Sequence, residues 1–468
     1  MKRPVRNQQL LVRVLCTAVP LLLLLFFFAR WSLTSPPESA WSLFSAALAA
    51  FLFALLGVRF LPQWMAAWSD RPWQPVRVPE GRRSAHSPRL HPFFGLLLAL
   101  TAFRILLFIV AYLLVYRRDG YLGGVLDRLD VWNMLGSDSR HYLNIAENWY
   151  VSTGDDRLLI VFLPLYPILV RLFHYIFQNY LVSGLFVSNV CCVFAGCLFY
   201  ELALLDTDRR GALRAVKYLC LLPAAFLLSA PLSDSLFLFL SIACVYCVRK
   251  DNYPLAGFLG GFAAFTRMPG ILLVAPAAFE LVGKCIREYP KRHKQRGYTA
   301  GVIGNALPLL LIPLGFLLYL YINYRVTGNP TMFLTYQYAH WHQELGWFFS
   351  TAATLTDNAL VRFADNPQMV FGLWLPNLLA LLAAPAFMIA AQKKLRASHI
   401  AYFIAYYAVC MGATWLLSAP RYLAACFPLA LSLGALTERR WADVLATVLC
   451  IGLMLLYLFA YVNGWYVY

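Results

Sequence analysis

Charge is scarce in this chain. Only 13% of its 468 residues are Asp, Glu, Lys or Arg, while 61% are hydrophobic, and no soluble domain of this length could hide so much apolar side chain from water. Acidic residues are scarcer still, 22 against 39 Lys and Arg. The resulting charge of +17 falls in short clusters between apolar runs rather than along one face. That pattern excludes nucleic acid as the partner and fits the topology of a polytopic membrane protein. Glycosylation acceptors of the Asn-x-Ser/Thr type are missing, because Asn329-Pro330-Thr331 is blocked by its proline. Paired C-x-x-C spacing of the metal or redox kind is missing too: the 11 cysteines, Cys244 and Cys247 of SIACVYC among them, lie mostly inside apolar segments and read as small core residues. There is no internal repeat and no low-complexity tract.

Long apolar runs are what the chain does have. About thirteen are near the roughly 17 to 25 residues that cross a hydrocarbon core of about 30 Å. They lie near 13–29, 41–62, 93–116, 160–178, 181–205, 218–231, 234–248, 254–268, 270–284, 300–323, 371–391 and 399–417, with a last group from 421 to 461 that TERRWAD at 437–443 divides in two. The expected fold is therefore all-α, with about 12–13 transmembrane helices. The runs 218–231 and 254–268 are short and suggest half-helices meeting at one face. The basic MKRPVR followed by LCTAVPLLLLLFFFA has no Ala-x-Ala site and precedes a second span, which predicts an uncleaved signal anchor.

Lys and Arg resist translocation, so their clusters orient the chain. Residues 1–6, 71–90, 206–217, 249–252, 283–296, 392–399 and 438–440 all fall on one side, the cytoplasmic one, provided the run 160–178 does not cross fully. Pro164 and Pro167 within RLLIVFLPLYPILVRLF each remove a backbone donor and either let the chain re-enter or kink a span. The other side receives two larger loops, 117–160 and 325–370. The first is acidic, with Asp119, Asp127, Asp130, Asp138, Glu147, Asp155 and Asp156.

Within it, GSDSRHYLNIAENWY at 136–150 brings Asp138, Arg140, His141 and Glu147 close together. At helical spacing Tyr142, Ile145, Ala146 and Trp149 form an apolar stripe, which predicts an amphipathic helix on the membrane surface. Asp138 at its start is either a reactive carboxylate or simply the N-cap. Three outward turns add Asp234 in SAPLSDSLF, Arg267 in AFTRMPGILL and Arg421 in LSAPRYLAACFPL. An arginine near the bilayer centre costs about 2.5 to 3.5 kcal/mol on insertion scales, less at an edge, so it calls for a partner. A lipid-linked phosphate suits the guanidinium fork, and headgroup snorkelling is the plain alternative. In VTGNPTMFLTYQYAHWHQELGWFF, aromatic rings beside Gln337, His340 and His342 suit a sugar or an interfacial belt. His340, His342 and Glu344 alternate by two, which shares a face only on a strand, so no metal or other cofactor is assigned.

Read in order, SDSRHYLNIAENWY, VFLPLYPIL, AFTRMPGIL, TGNPTMFLTYQ and APRYLAACFPL resemble the family of the second mannosyltransferase of glycosylphosphatidylinositol assembly and its bacterial relatives (PIG-V-like), within the glycosyltransferase C superfamily. The pieces span about 93–436, which would be the catalytic core, between an N-terminal transmembrane hairpin with a basic cytoplasmic linker (1–92) and a C-terminal transmembrane helix (437–468). Ser137 stands where the family has tryptophan, and Trp149 where it has glycine.

The resemblance implies an inverting, most simply mannosyl, transfer from a polyprenyl- or dolichyl-phosphate sugar to a glycan or glycolipid acceptor on the non-cytoplasmic face. Asp138 would be the general base. Arg267 and Arg421 would hold the phosphate, Arg140 and His141 would orient the donor, and Gln337 the acceptor. Glu147, Tyr166, Asp234, His340 and Tyr422 complete the expected substrate-binding set. A transporter or lipid flippase is the competing class, but it tends to show repeated halves and midplane charge. The basic extra hairpin and the missing glycosylation sites favour a bacterial plasma membrane over the endoplasmic reticulum.

Overall fold

The computed structural model describes residues 3–68, 92–121, 123–124, 127–133 and 137–468. Residues 1 and 2, the basic linker 71–90 and Gly136 of the first loop lie outside them. The described chain is helical: α1 (Arg3–Thr34), α2 (Ala40–Ala67), α3 (Pro92–Asp119), α4 (Asp138–Asn148), α5 (Leu165–Phe177), α6 (Tyr180–Leu204), α7 (Arg209–Leu221), α8 (Asp234–Arg249), α9 (Tyr253–Thr266) and α10 (Val274–Arg292). There follow α11 (Tyr298–Ala306), α12 (Leu311–Thr327), α13 (Met332–Trp341), α14 (Phe348–Arg362), α15 (Pro367–Met369), α16 (Leu375–Ala391), α17 (Ala397–Cys410), α18 (Ala419–Ala424), α19 (Phe427–Leu436) and α20 (Arg440–Val462). Extended pairing among the described residues is confined to one isolated bridge, Leu345 to Ala413.

The protein is an integral, multi-pass membrane protein. Among the described residues eight helices are long and apolar enough to cross a bilayer: Thr17–Thr34, Ala40–Ala67, Phe93–Asp119, Tyr180–Leu204, Met268–Arg292, Tyr298–Thr327, Pro367–Lys394 and Arg440–Val462. Other apolar runs fold as shorter helices, α8 with 16 residues, α9 with 14, α17 with 14 and α19 with 10. α8 is buried along nearly its whole length. A helix wrapped by protein has no need to match the hydrocarbon thickness, which is why apolarity alone does not separate it from a lipid-facing span. The run 218–231 breaks after Leu221 into a 3-10 turn, Ala225–Ser229.

The proline-rich run is broken as well. The 3-10 helix Asp155–Val161 meets α5 at 111°, with Pro164 at the N-cap of α5. The outer segment 325–370, read from sequence as a loop, contains α13 and α14. α14 presents Phe348, Phe349, Ala352, Ala353 and Leu355 inward, with Thr356 donating to Ser45 of α2 at 2.8 Å.

Two features position the far ends of α8 and α9. Glycines let α9 and α12 approach backbone to backbone: a Cβ on Gly315 would stand 1.9 Å from the Gly261 carbonyl oxygen, and one on Gly257 1.9 Å from that of Pro308. At the other end, ion pairs gather the turns that carry the basic clusters. Arg249 meets Asp206 through two 2.7 Å contacts, Arg396 meets Glu280 at 2.5 and 2.8 Å, and Lys284 meets Asp251 at 2.8 Å. With that end pinned, Asp234 starts α8 and Arg267 caps α9 at the opposite end, about 20 Å away at 1.5 Å per residue. The N-terminal hairpin is docked on this core: Phe27 stacks on Trp347 at 4.7 Å, and Gln63 donates to the Gln392 carbonyl at 2.6 Å.

Candidate active site

α4 is the amphipathic helix expected from its stripe, with Tyr142, Ile145 and Ala146 buried and Glu147 and Asn148 exposed. Its N-cap is Ser137, whose hydroxyl accepts from the Ser139 amide. Asp138 is thus relieved of capping and is the first helical residue. Its carboxylate turns to Arg421, Nη2 to Oδ2 at 2.5 Å.

Arg421 is fixed by Pro420 at the start of α18 and is almost fully buried. A second carboxylate, Asp234, lies behind it, Arg421 Nε to Asp234 Oδ2 at 3.7 Å, and Arg267 donates to the other oxygen of Asp234. The result is an alternating chain, Asp138, Arg421, Asp234, Arg267, built from α4, α18, α8 and the break between α9 and α10. The Tyr422 ring lies under both guanidiniums, 5.0 Å from that of Arg267 and 5.4 Å from that of Arg421. Burial opposes ionisation of Asp138. The Arg421 guanidinium, helped by His141 and Arg267, outweighs it and holds the carboxyl below the usual carboxylate range.

A cavity of about 790 Å³ opens over this chain, lined by Asp138, His141, Arg267, Gln337, Arg421 and Tyr422 among others. Its other walls are Phe162, Leu163, Met268 and Trp341, and a strap, residues 343–345, tied to 412–415. The strap is held by Gly346 N to Gly412 O at 2.7 Å and Thr414 N to Glu344 O at 2.9 Å. His141 stacks on Phe162, centroids 5.0 Å apart. Burial lowers its imidazole below the ordinary value, against the pull of Asp138 and Asp156, so it is neutral at pH 7.

The remaining expected residues lie elsewhere. Arg140 is exposed and donates to the Asn133 carbonyl at 3.1 Å. Glu147 and His340 are exposed and do not line the cavity. Tyr166 is wholly buried, bonded to the Gly184 carbonyl and the Ser188 hydroxyl at 2.9 Å each, and supports Tyr142 edge-on at 5.4 Å. Asp234 is 1% exposed and acts on the cavity only through its arginines. Among the described residues no three His, Cys, Asp or Glu side chains are placed to hold a metal ion.

Sequence reasoning passed over three residues that line the cavity: Trp415 in the run 399–417, Ser418 in the turn that carries Arg421, and Tyr468 beyond the last apolar run. The polar break Thr414-Trp415-Leu416-Leu417-Ser418 was a signal for the first two. None marked Tyr468.

The sequence model described as mannosyltransferase (PIG-V) matches residues 119–350. Over that segment the chain matches the PIG-V mannosyltransferase family. The chain is a membrane glycosyltransferase, and the matched segment supplies Asp138, Asp234 and Arg267, while Arg421 and Tyr422 come from beyond it. Curated proteins include no match. Among solved structures the chain is similar to ArnT from Cupriavidus metallidurans bound to undecaprenyl phosphate, with a TM-score of 0.46 and 12% identity, covering 81% of this chain and 76% of that one.

Proposed function

We propose that the protein transfers a hexosyl group, mannose in the first instance, from a polyprenyl- or dolichyl-phosphate donor to a glycan or glycolipid acceptor, with inversion, on the non-cytoplasmic face of a bacterial plasma membrane. The observation that carries this reading is the contact of Asp138 with Arg421 on the wall of a large cavity, at the end of the molecule opposite the basic turns. An anionic carrier is favoured because Arg267 and Arg421 are the cavity's strong donors. A nucleotide sugar is disfavoured because it belongs to the cytosolic side.

In the proposed step an acceptor hydroxyl oxygen bonds to the anomeric carbon as the bond from that carbon to the phosphate oxygen breaks, and the electron pair leaves with the phosphate. The hydroxyl proton passes to Asp138. The departing charge grows against Arg267 and Arg421, which stabilise it most when it is largest. Phosphate leaves without being protonated, so a single carboxylate suffices. His141, neutral and stacked on Phe162, borders the same space and orients the donor; Gln337, also on the cavity wall, binds the acceptor.

The test uses membranes containing the full chain, polyprenyl-phosphate mannose labelled in the sugar, and the membranes' own acceptors. D138N should lower transfer by about a hundredfold or more while eluting as a folded monodisperse protein. D138N turning over at the wild-type rate would refute the assignment, and retention of anomeric configuration in the product would refute inversion.

A further inference from the structure

We propose that the donor phosphate and Asp138 compete for the Arg421 guanidinium, so that donor binding is what releases the carboxylate to act as base. The inference rests on the function proposed above and adds to it an obligatory order, donor before proton transfer.

The argument begins with charge. Arg267 and Arg421 face Asp138 and Asp234, two cations against two carboxylates. An arriving phosphodiester therefore finds no uncommitted positive charge, and one carboxylate must let go. Burial decides which. Asp234 is 1% exposed and gripped by Arg267, so its release would strand a bare carboxylate away from water. The Asp138 side chain is 30% exposed, on the first turn of α4 and at the cavity wall, and its hold on Arg421 is the single Nη2 contact.

Arg421 is the partner that invites the exchange. It is 5% exposed, and its Nε and Nη1 have no hydrogen-bond partner among the described residues. The 3.7 Å from Nε to Asp234 is too long for a hydrogen bond, and Asp234 Oδ2 is likewise unpartnered among the described residues. A buried guanidinium donating to one carboxylate oxygen, with the rest of its fork unused, is an underfilled site for an oxyanion that takes two parallel bonds. Once the phosphate occupies it, Asp138 is left at the cavity edge as an unpaired carboxylate, a stronger base than when clamped.

The cycle closes consistently. After transfer Asp138 carries the acceptor's proton and is neutral, so it does not contest the polyprenyl phosphate, whose charge has risen. When Asp138 loses that proton it regains its claim on Arg421 and assists product release.

The experiment measures binding of undecaprenyl phosphate, and of the uncharged undecaprenol, to the full-length protein in nanodiscs, for wild type, D138N, D138E and D138N/R421K. Competition requires D138N to bind undecaprenyl phosphate roughly tenfold tighter than wild type, as loss of one charged hydrogen bond to a rival acceptor allows. D138E, which keeps the rival charge, should bind like wild type, undecaprenol should not distinguish the proteins, and R421K should erase the gain. Equal or weaker binding by D138N, or a gain that survives R421K, overturns the competition. In the first case, loss of transfer by the same D138N sample leaves the base assignment standing. Failure of every protein to bind undecaprenyl phosphate better than undecaprenol overturns the donor reading itself, and the competition with it.

Discussion

Asp138 and Arg421 are 283 residues apart in sequence and 2.5 Å apart in space. The arginine does two things at once: it supplies positive charge to the cavity and keeps the acid beside it ionised. Burial alone would push the Asp138 carboxyl up; the guanidinium reverses the sign.

That sign makes a pH prediction. The profile of kcat/KM reports ionisations of the free enzyme, in which the Asp138 carboxyl is held below the usual range, so the acid limb should lie below about pH 4. For stability, a depressed folded-state value means that the pair's contribution is present above the unfolded carboxylate value and is lost as pH falls through the folded one. Melting curves in detergent should show that loss only below about pH 4, and D138N should remove this component. A loss centred near pH 6 in wild type, and absent in D138N, would contradict the assignment.

Replacing Asp234 should damage the fold and the activity together. D234A leaves Arg267 and Arg421 buried without their shared anion, a change of the kind that destabilises by about 3 to 5 kcal/mol. Thermal unfolding should therefore drop for D234A, and less for its isostere D234N, with transfer lost in both. Wild-type stability in D234A would show that the carboxylate does not hold the arginines.

The glycine crossing should transmit to the site. In G315A the new methyl meets the backbone of Gly261, which cannot swing aside; such overpacking costs about 1 to 3 kcal/mol. α9 must shift, and Arg267 at its end with it, so G315A should lower both the melting temperature and the apparent affinity for the donor. G452A, on the open face of α20, has space around its Cβ and should change neither.

Sidedness can be read with an impermeant thiol reagent on intact cells. S152C lies in the exposed acidic turn on the cavity side and R210C at the exposed basic start of α7 at the other end. Labelling of S152C with protection of R210C is expected. The reverse pattern would place the cavity in the cytoplasm and remove the argument for a lipid-phosphate donor.

Much of this was legible along the chain because the bilayer imposes a local rule: apolar length marks a buried or spanning helix, and scarce charge stands out. The amphipathic stripe of α4, the break at Pro164 and the three turns with Asp234, Arg267 and Arg421 all follow from neighbours within a few residues. The division of apolar runs into lipid-facing spans and short internal helices such as α8 and α9 was not legible, since both are equally greasy and differ only in what surrounds them. Nor was the fate of Tyr166, whose hydroxyl is spent inside the core, or of Tyr468, brought to the cavity from the far end of the chain.

The sequence by itself determined that this chain lives in a membrane as helices and keeps the charges of Asp234, Arg267 and Arg421 at turns, because hydrocarbon rejects unpaired backbone and charge wherever they occur. Only the tertiary structure decided that Asp138 is clamped by Arg421 and Asp234 shared by two arginines. Pairing between residues hundreds of positions apart depends on how helices cross, and that is set by close contacts, such as Gly261 against Gly315, that no local pattern records.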